Sequence, residues 1–186
     1  LILSLIHYSM PQPQIPVISI DGPSVSGKGT VAQLVAKMLG FHYLDSGALY
    51  RLVALKAMQL HVDSTDHDQL TTIATHLDII FQDQEIYLDG KVATHEIRTE
   101  QCGILALQIA AYPQVREALT ERQRRFCQPP GLVADGRDMG STIFPNARLK
   151  VFLTASAEIR AQRRHKQLME KGIDANIALL LQDIKA

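Results

Sequence analysis

Ile18-Ser19-Ile20-Asp21-Gly22-Pro23-Ser24-Val25-Ser26-Gly27-Lys28-Gly29-Thr30 is the stretch that decides the fold. With Pro16 and Val17 before it, its first part is a short apolar, β-branched run that stops at Gly22, as a strand buried in a parallel sheet does. Beyond Thr30 the period changes. Val31, Leu34, Val35, Met38 and Leu39 recur at helical spacing as one face, and Gly40 closes the helix. Strand, glycine-rich loop and helix, in that order, let successive backbone N–H groups converge on a polyphosphate at the positive end of the helix. Gly22, Pro23, Ser24, Val25, Ser26, Gly27, Lys28, Gly29 and Thr30 are therefore expected to hold such a ligand, with Lys28 against its outer phosphates.

Working outward, Phe41 to Leu44 reads as a second strand, and Asp45-Ser46 caps a helix that buries Leu49, Leu52 and Val53. From about Asp63 to Arg98 the texture turns to polar loops with two short runs, Leu77 to Phe81 and Glu85 to Leu88, which predict a hairpin-bearing insert. A helix over Ile104 to Ala111 follows, then one starting at Pro113 with Val115, Ala118, Leu119, Arg122 and Phe126 inward. Leu132-Val133-Ala134 is a strand ending at Asp135, Leu149 to Leu153 is the next, and Ser156 to Lys171 is a basic helix terminated by Gly172. The last segment, from Asp174, places Ile177, Leu180, Leu181 and Ile184 at helical spacing, and the sequence stops in mid-element. Such alternation predicts an α/β fold: a mainly parallel sheet flanked by helices, of the phosphate-loop NTPase kind. The expected organisation is an N-terminal extension at 1–14, a core at 15–62 and 112–155, an insert at 63–111, a helical lid at 156–173, and the start of a further core segment at 174–186.

Composition narrows the function classes. Of 186 residues 46% are hydrophobic and 20% charged, with 11 Gly, 8 Pro and no Trp, which excludes a collagenous, disulfide-scaffold or wholly disordered chain. Nineteen basic residues balance nineteen acidic ones, so no global field draws in nucleic acid or a membrane surface. Cys102 and Cys127 stand alone, without metal-ligand spacing, as expected of reduced thiols in a cytoplasmic protein. Leu1 to Ile6 is too short to span a bilayer and lacks the flanks of a signal peptide. The seven histidines include no metal pair, and His95-Glu96 lacks the second histidine of a zinc protease. No Asn-Lys-x-Asp guanine signature occurs, which disfavours a switch GTPase.

In the loop, the residue after the lysine is Gly29 and the hydroxyl falls on Thr30, which weakens direct hydroxyl ligation of magnesium. This Gly-Lys-Gly-Thr form resembles nucleoside monophosphate kinases, whose acceptor is itself a phosphate. Two anionic substrates brought together demand arginines. Arg51, Arg98 and Arg116 are available, and Arg137 sits just past the end of a core strand, where open α/β sheets place their ligands. Asp135, at the end of that strand, is placed to order magnesium or water; Asp21 occupies a similar position and can equally cap the loop.

Taken together, Ile18 to Ser24, Asp45-Ser46-Gly47-Ala48-Leu49-Tyr50-Arg51, Ala134-Asp135-Gly136-Arg137-Asp138-Met139-Gly140 and Lys150 to Ala155 resemble the bacterial cytidylate kinases over Ile15 to Lys185. The resemblance implies transfer of the γ-phosphoryl group of ATP to CMP or dCMP with Mg2+, by a cytoplasmic monomer with a nucleotide-binding insert and a mobile lid. It implies that Lys28, Arg137, Arg51 and Arg164 are catalytic and that Arg160 joins the ATP contacts. Ser46, Arg51, Arg98, Arg116, Arg137 and Asp138 would bind the acceptor, Arg116 and Asp138 facing the cytosine edge, and Thr30 and Asp135 would serve the metal. Three departures stand out: Val25 where the family has glycine, Leu107 where it has serine, and a chain that stops before the family's acidic and arginine-rich segment and final strand. Alternatives are a kinase for another small acceptor, such as UMP, and an inactive fragment that still binds ATP.

Overall fold

The computed structural model describes residues 14–82, 85–170 and 172–185; all of the expected extension but Gln14, together with residues 83, 84, 171 and 186, falls outside them. Four parallel strands form the main sheet: β1 (Val17–Asp21), β2 (His42–Asp45), β6 (Leu132–Gly136) and β7 (Leu149–Phe152), in the order β2-β6-β1-β7. All three pairings are parallel, with Asp21 opposite Gly136 and Asp45 opposite Asp135. That register gathers the carboxyl ends of β1, β2 and β6 at one rim, where parallel sheets expose ligand-binding turns.

The central strands are buried on both faces. Ile20 and Val133 meet Ala32 and Ala36 of α1 (Lys28–Leu39), while Val17, Leu132, Ala134 and Leu44 turn to the opposite side. There they meet Leu49, Leu52 and Val53 of α2 (Ser46–Gln59), which Asp45 caps by accepting a hydrogen bond from the Ala48 N–H at 3.1 Å. The predicted face of α1 is corrected: Val31, Leu34, Met38 and Leu39 are exposed, Met38 to 84%, and the small Ala32 and Ala36 face the sheet instead. Methyl side chains let the helix axis approach the strands more closely than leucines would. At the sheet's other edge, Leu149 and Phe152 of β7 are exposed, Phe152 to 70%.

Between α2 and β6 lie α3 (His67–His76), an antiparallel sheet of β3 (Ile79–Gln82), β4 (Glu85–Leu88) and β5 (Lys91–Val92), a tight helical turn at Glu96–Arg98, α4 (Glu100–Ile109) and α5 (Pro113–Arg124). The hairpin matches expectation; α3 and β5 do not, because that stretch was read as polar loops. Leu70, Ile73 and Ala74 fix α3 to the core, and Asp66 caps it by accepting from the Gln69 N–H at 3.0 Å. Helix α4 begins at Glu100, four residues before the predicted start, because the Thr99 hydroxyl caps it. After β7 come α6 (Ala157–Glu170) and α7 (Ile177–Lys185), joined by an ion pair of Glu158 with Lys185 at 2.8 Å.

Candidate active site

The loop leaving β1 is shaped by close approaches. A Cβ on Gly22 would sit 2.1 Å from the Leu153 carbonyl oxygen, so no other residue fits there. Gly27 precedes α1 at φ 95° without a side-chain cap, which leaves the first N–H groups of the helix for an anion. Val25 adopts φ 63°, a left-handed conformation that costs a β-branched residue energy, so the departure at this position is accommodated by strain. The buried Ser26 hydroxyl has no hydrogen-bond partner among the described residues. A hydroxyl and helix N–H groups left without partners among the described residues fit an anion such as a phosphate.

Beneath the loop, Lys28 Nζ lies 3.7 Å from Asp135 Oδ1, and the Tyr43 hydroxyl donates to Asp135 Oδ2 at 3.3 Å. Asp135 is 6% exposed. Burial raises its carboxyl to about 6, with the Lys28 charge opposing. Burial also pushes the Tyr43 hydroxyl well above the usual phenol range, aided by the nearby Asp45 and Asp135 charges. A Cβ on Gly29 would stand 3.0 Å from Asp135 Oδ2, which is why the loop has glycine after its lysine. Thr30 is exposed and its hydroxyl makes no hydrogen bond among the described residues, whereas Asp135, the other expected metal residue, pairs with the lysine. Among the described residues no cluster of three His, Cys, Asp or Glu side chains forms a metal cage.

Asp21 is a clamp. Its two carboxylate oxygens accept from the N–H groups of Met139 and Gly140, each at 2.8 Å. This fixes the π-helical turn Met139–Ile143 and with it the preceding Arg137 and Asp138. Arg137 is exposed and makes no hydrogen bond or ion pair among the described residues, leaving its guanidinium for a ligand. Asp138 pairs with Arg116 at 3.1 Å, and Gly136 packs so closely on the Ser46 hydroxyl that a Cβ would lie 2.6 Å from it.

On the α2 side a cavity of about 450 Å³ opens beside Asp45, lined in part by Arg51, Arg98 and Arg164. Arg51 is held by donating to the Ile97 carbonyl at 2.8 Å, and Arg164 pairs with Glu100 at 3.1 Å. From α6, Arg160 donates to the Ser24 carbonyl at 2.9 Å and Arg163 to the Ser26 carbonyl at 2.7 Å, so two arginines of the basic helix rest on the phosphate loop. One rim therefore carries an anion cradle with a lysine and, next to it, an arginine-lined cavity.

The cytidylate kinase profile matches residues 18–186. This chain belongs to the cytidylate kinase family. Curated members include those of Nitrosomonas europaea, 58% identical over 95% of this chain and 79% of the relative, and Nitrosomonas eutropha, 61% identical over 90% and 75%. The cytidylate kinase of Bordetella pertussis is 59% identical over 91% of this chain and 76% of its own. The protein is thus a nucleoside monophosphate kinase, a phosphotransferase that uses a nucleotide donor.

Of the residues expected from sequence, the kinase brings Gly22 to Lys28, Arg160 and Asp135 around one loop, and Arg51, Arg98 and Arg164 around one cavity. Arg116 and Asp138 meet each other, and Thr30 lies exposed in the first turn of α1, two residues after Lys28. Two groups escaped the sequence reading. Arg163 is three residues from Arg160, the spacing that puts both on one helix face, and that was the available signal. Tyr43 gave none, since its bond to Asp135 spans two strands.

Proposed function

We propose that this kinase transfers the γ-phosphoryl group of ATP to CMP or dCMP, giving ADP and CDP or dCDP. The observation that carries the reading is the Lys28–Asp135 pair under a cradle of free helix N–H groups, on the same rim as a cavity edged by Arg51, Arg98 and Arg164. In it Gly22 to Thr30 hold the donor phosphates, Lys28 neutralises charge on the outer ones, and Arg51, Arg98 and Arg137 hold the acceptor phosphate. The attacking phosphate oxygen is already anionic, so no general base is required; alignment and charge neutralisation lower the barrier. Arg160 and Arg164, on the helix over the loop, exclude water and limit hydrolysis. Magnesium bound to the triphosphate would supply further charge neutralisation, and the ionised Asp135 carboxylate beside Lys28 is the group of this chain suited to it.

Arg116 and Asp138 supply the cytosine preference: a carboxylate accepts from an exocyclic amine, and uracil offers no donor at that position. The chain works as a cytoplasmic monomer on small nucleotides, with 63–111 as the acceptor-binding insert and 156–173 as the lid. Competitive phosphorylation of CMP, dCMP, UMP and AMP by the purified chain tests the reading. CMP and dCMP are expected to be used well ahead of the others; equal use of UMP, or ATP binding without CDP formation, overturns it.

A further inference from the structure

A second recess, of about 340 Å³, lies away from the phosphate loop, at the free edge of the main sheet. Its walls include His42 and Tyr43 of β2, Phe81 of β3, Arg122 of α5, and Arg125 and Phe126 just after α5. Of these residues Tyr43 alone touches the site described above, through its hydroxyl on Asp135; the others neither line the acceptor cavity nor belong to the Arg116–Asp138 pair. The volume lies within the range of about 300–1,000 Å³ typical of small-molecule sites.

Three features of its lining point to one class of ligand. The first is charge. Arg122 is half-buried, and burial followed by the Arg125 charge lowers its guanidinium pKa, with the Asp78 charge opposing. Arg122 spends one donor on the Thr75 carbonyl at 3.0 Å, and neither arginine forms an ion pair among the described residues. Asp78 acts on Arg122 through its charge, and the carbonyl end of α5 offsets some of the rest; both guanidinium groups keep donors to spare. The second is aromatic surface. The Phe81 and Phe126 rings meet edge to face, with centroids 5.5 Å apart and planes at 79°, and both residues line the recess. The third is an unused main-chain edge. The His42 N–H donates inward to the Gly131 carbonyl at 2.9 Å, so in a parallel ladder the N–H and C=O of Tyr43 turn outward. Since β2 is the last strand on that side, those groups meet no neighbouring strand among the described residues.

Paired guanidinium groups recognise a phosphate, aromatic rings stack a planar heterocycle, and an outward amide pair hydrogen-bonds its edge. We propose that this recess is a second, non-catalytic nucleotide site, taking a nucleoside monophosphate with its base against Phe81 and Phe126 and its phosphate on Arg122 and Arg125. Tyr43 lines the recess and donates its hydroxyl to Asp135, so the ligand sits one side chain from the Lys28–Asp135 pair.

The test is a nuclear magnetic resonance titration of the full chain with AMP, CMP and, separately, inorganic phosphate. Backbone amides of Tyr43, Phe81, Gly27 and Lys28 and the arginine Nε–H groups are followed. The expected result is a saturable curve at Tyr43, Phe81 and Arg122 that is distinct from the curve at Gly27 and Lys28. Arg125→Ala weakens the first about tenfold or more, the loss of one charge-assisted contact, and leaves the second within about twofold. Arg125 is exposed, so this substitution does not threaten folding. Recess signals that stay still while the loop saturates overturn the proposal, as do signals that follow the loop curve and ignore Arg125→Ala. Inorganic phosphate alone moving them as strongly as AMP also overturns it, because the rings then contribute nothing.

Discussion

Val25→Gly should stabilise the protein. Val25 sits at φ 63° in the phosphate loop, where an L-residue pays for the approach of Cβ to its own carbonyl and a β-branched one pays most. Strained conformations of this kind cost about 1–3 kcal/mol, and about 2 is a fair value for valine. Glycine relieves it but gains unfolded-state freedom worth about 0.5–1 kcal/mol. Val25 packs in neither of the two hydrophobic clusters, so little apolar burial is lost with its side chain. The balance is a gain of about 1 kcal/mol, a rise in Tm of about 2–4 °C at this chain length. Val25→Ala provides the internal control: it removes the branch, keeps the positive φ, and should melt below Val25→Gly, reversing the order these residues give at an ordinary site. Thermal unfolding followed by circular dichroism, with a urea titration beside it, reads both. A Val25→Gly protein that melts at or below the wild type, or below Val25→Ala, would refute the assignment of strain to this residue.

Asp135 gives a pH signature. Its carboxyl is raised to about 6 in the fold, so between about pH 4 and pH 6 the native state binds more protons than the unfolded chain, and stability falls as pH rises through that interval. The full effect is about 3 kcal/mol, and Asp135→Asn should flatten this part of the urea-midpoint profile. Turnover in the presence of magnesium should instead rise with a midpoint near pH 6, as the ionised carboxylate forms in the folded protein. Asp21→Asn leaves one of the two N–H groups at Met139 and Gly140 unpaired, a loss of about 1–3 kcal/mol in urea unfolding; because the clamp holds Arg137 and Asp138, KM for CMP should rise more than KM for ATP. Asp138→Asn should narrow the preference for CMP over UMP by about tenfold or more, read as the ratio of the two kcat/KM values.

The strand, loop and first helix were legible because the hydrophobic period changes sharply between Asp21 and Thr30, and the glycines mark where backbone must pass close to backbone. The capping carboxylate Asp45 and the helix-starting Pro113 were legible for the same local reason. Helix α3 was not, because it is rich in threonines: Thr71, Thr72 and Thr75 satisfy their hydroxyls on carbonyls one turn back, which a propensity reading scores as loop. The outward apolar stripe of α1 misled because periodicity identifies a face without saying what it meets, and the sheet took the alanines instead. Among the site residues, Lys28 and Asp135 sit at the ends of recognisable elements and Arg51 lies within the helix that Asp45 caps, whereas the Asp21 clamp joins groups 118 and 119 residues apart and leaves no local trace. Arg163 was hidden in a run of charges whose usual fate is solvent.

The proposed reaction requires two nucleotides to meet end to end between the lysine loop and the arginine cavity. Calorimetric titration with a mimic in which a chain of five phosphates joins adenosine to cytidine tests this directly. One mimic should bind per chain, more tightly than ATP or CMP alone, and excess of either nucleotide should weaken its binding. A mimic that binds no better than ATP, or that CMP fails to displace, would contradict the shared cleft.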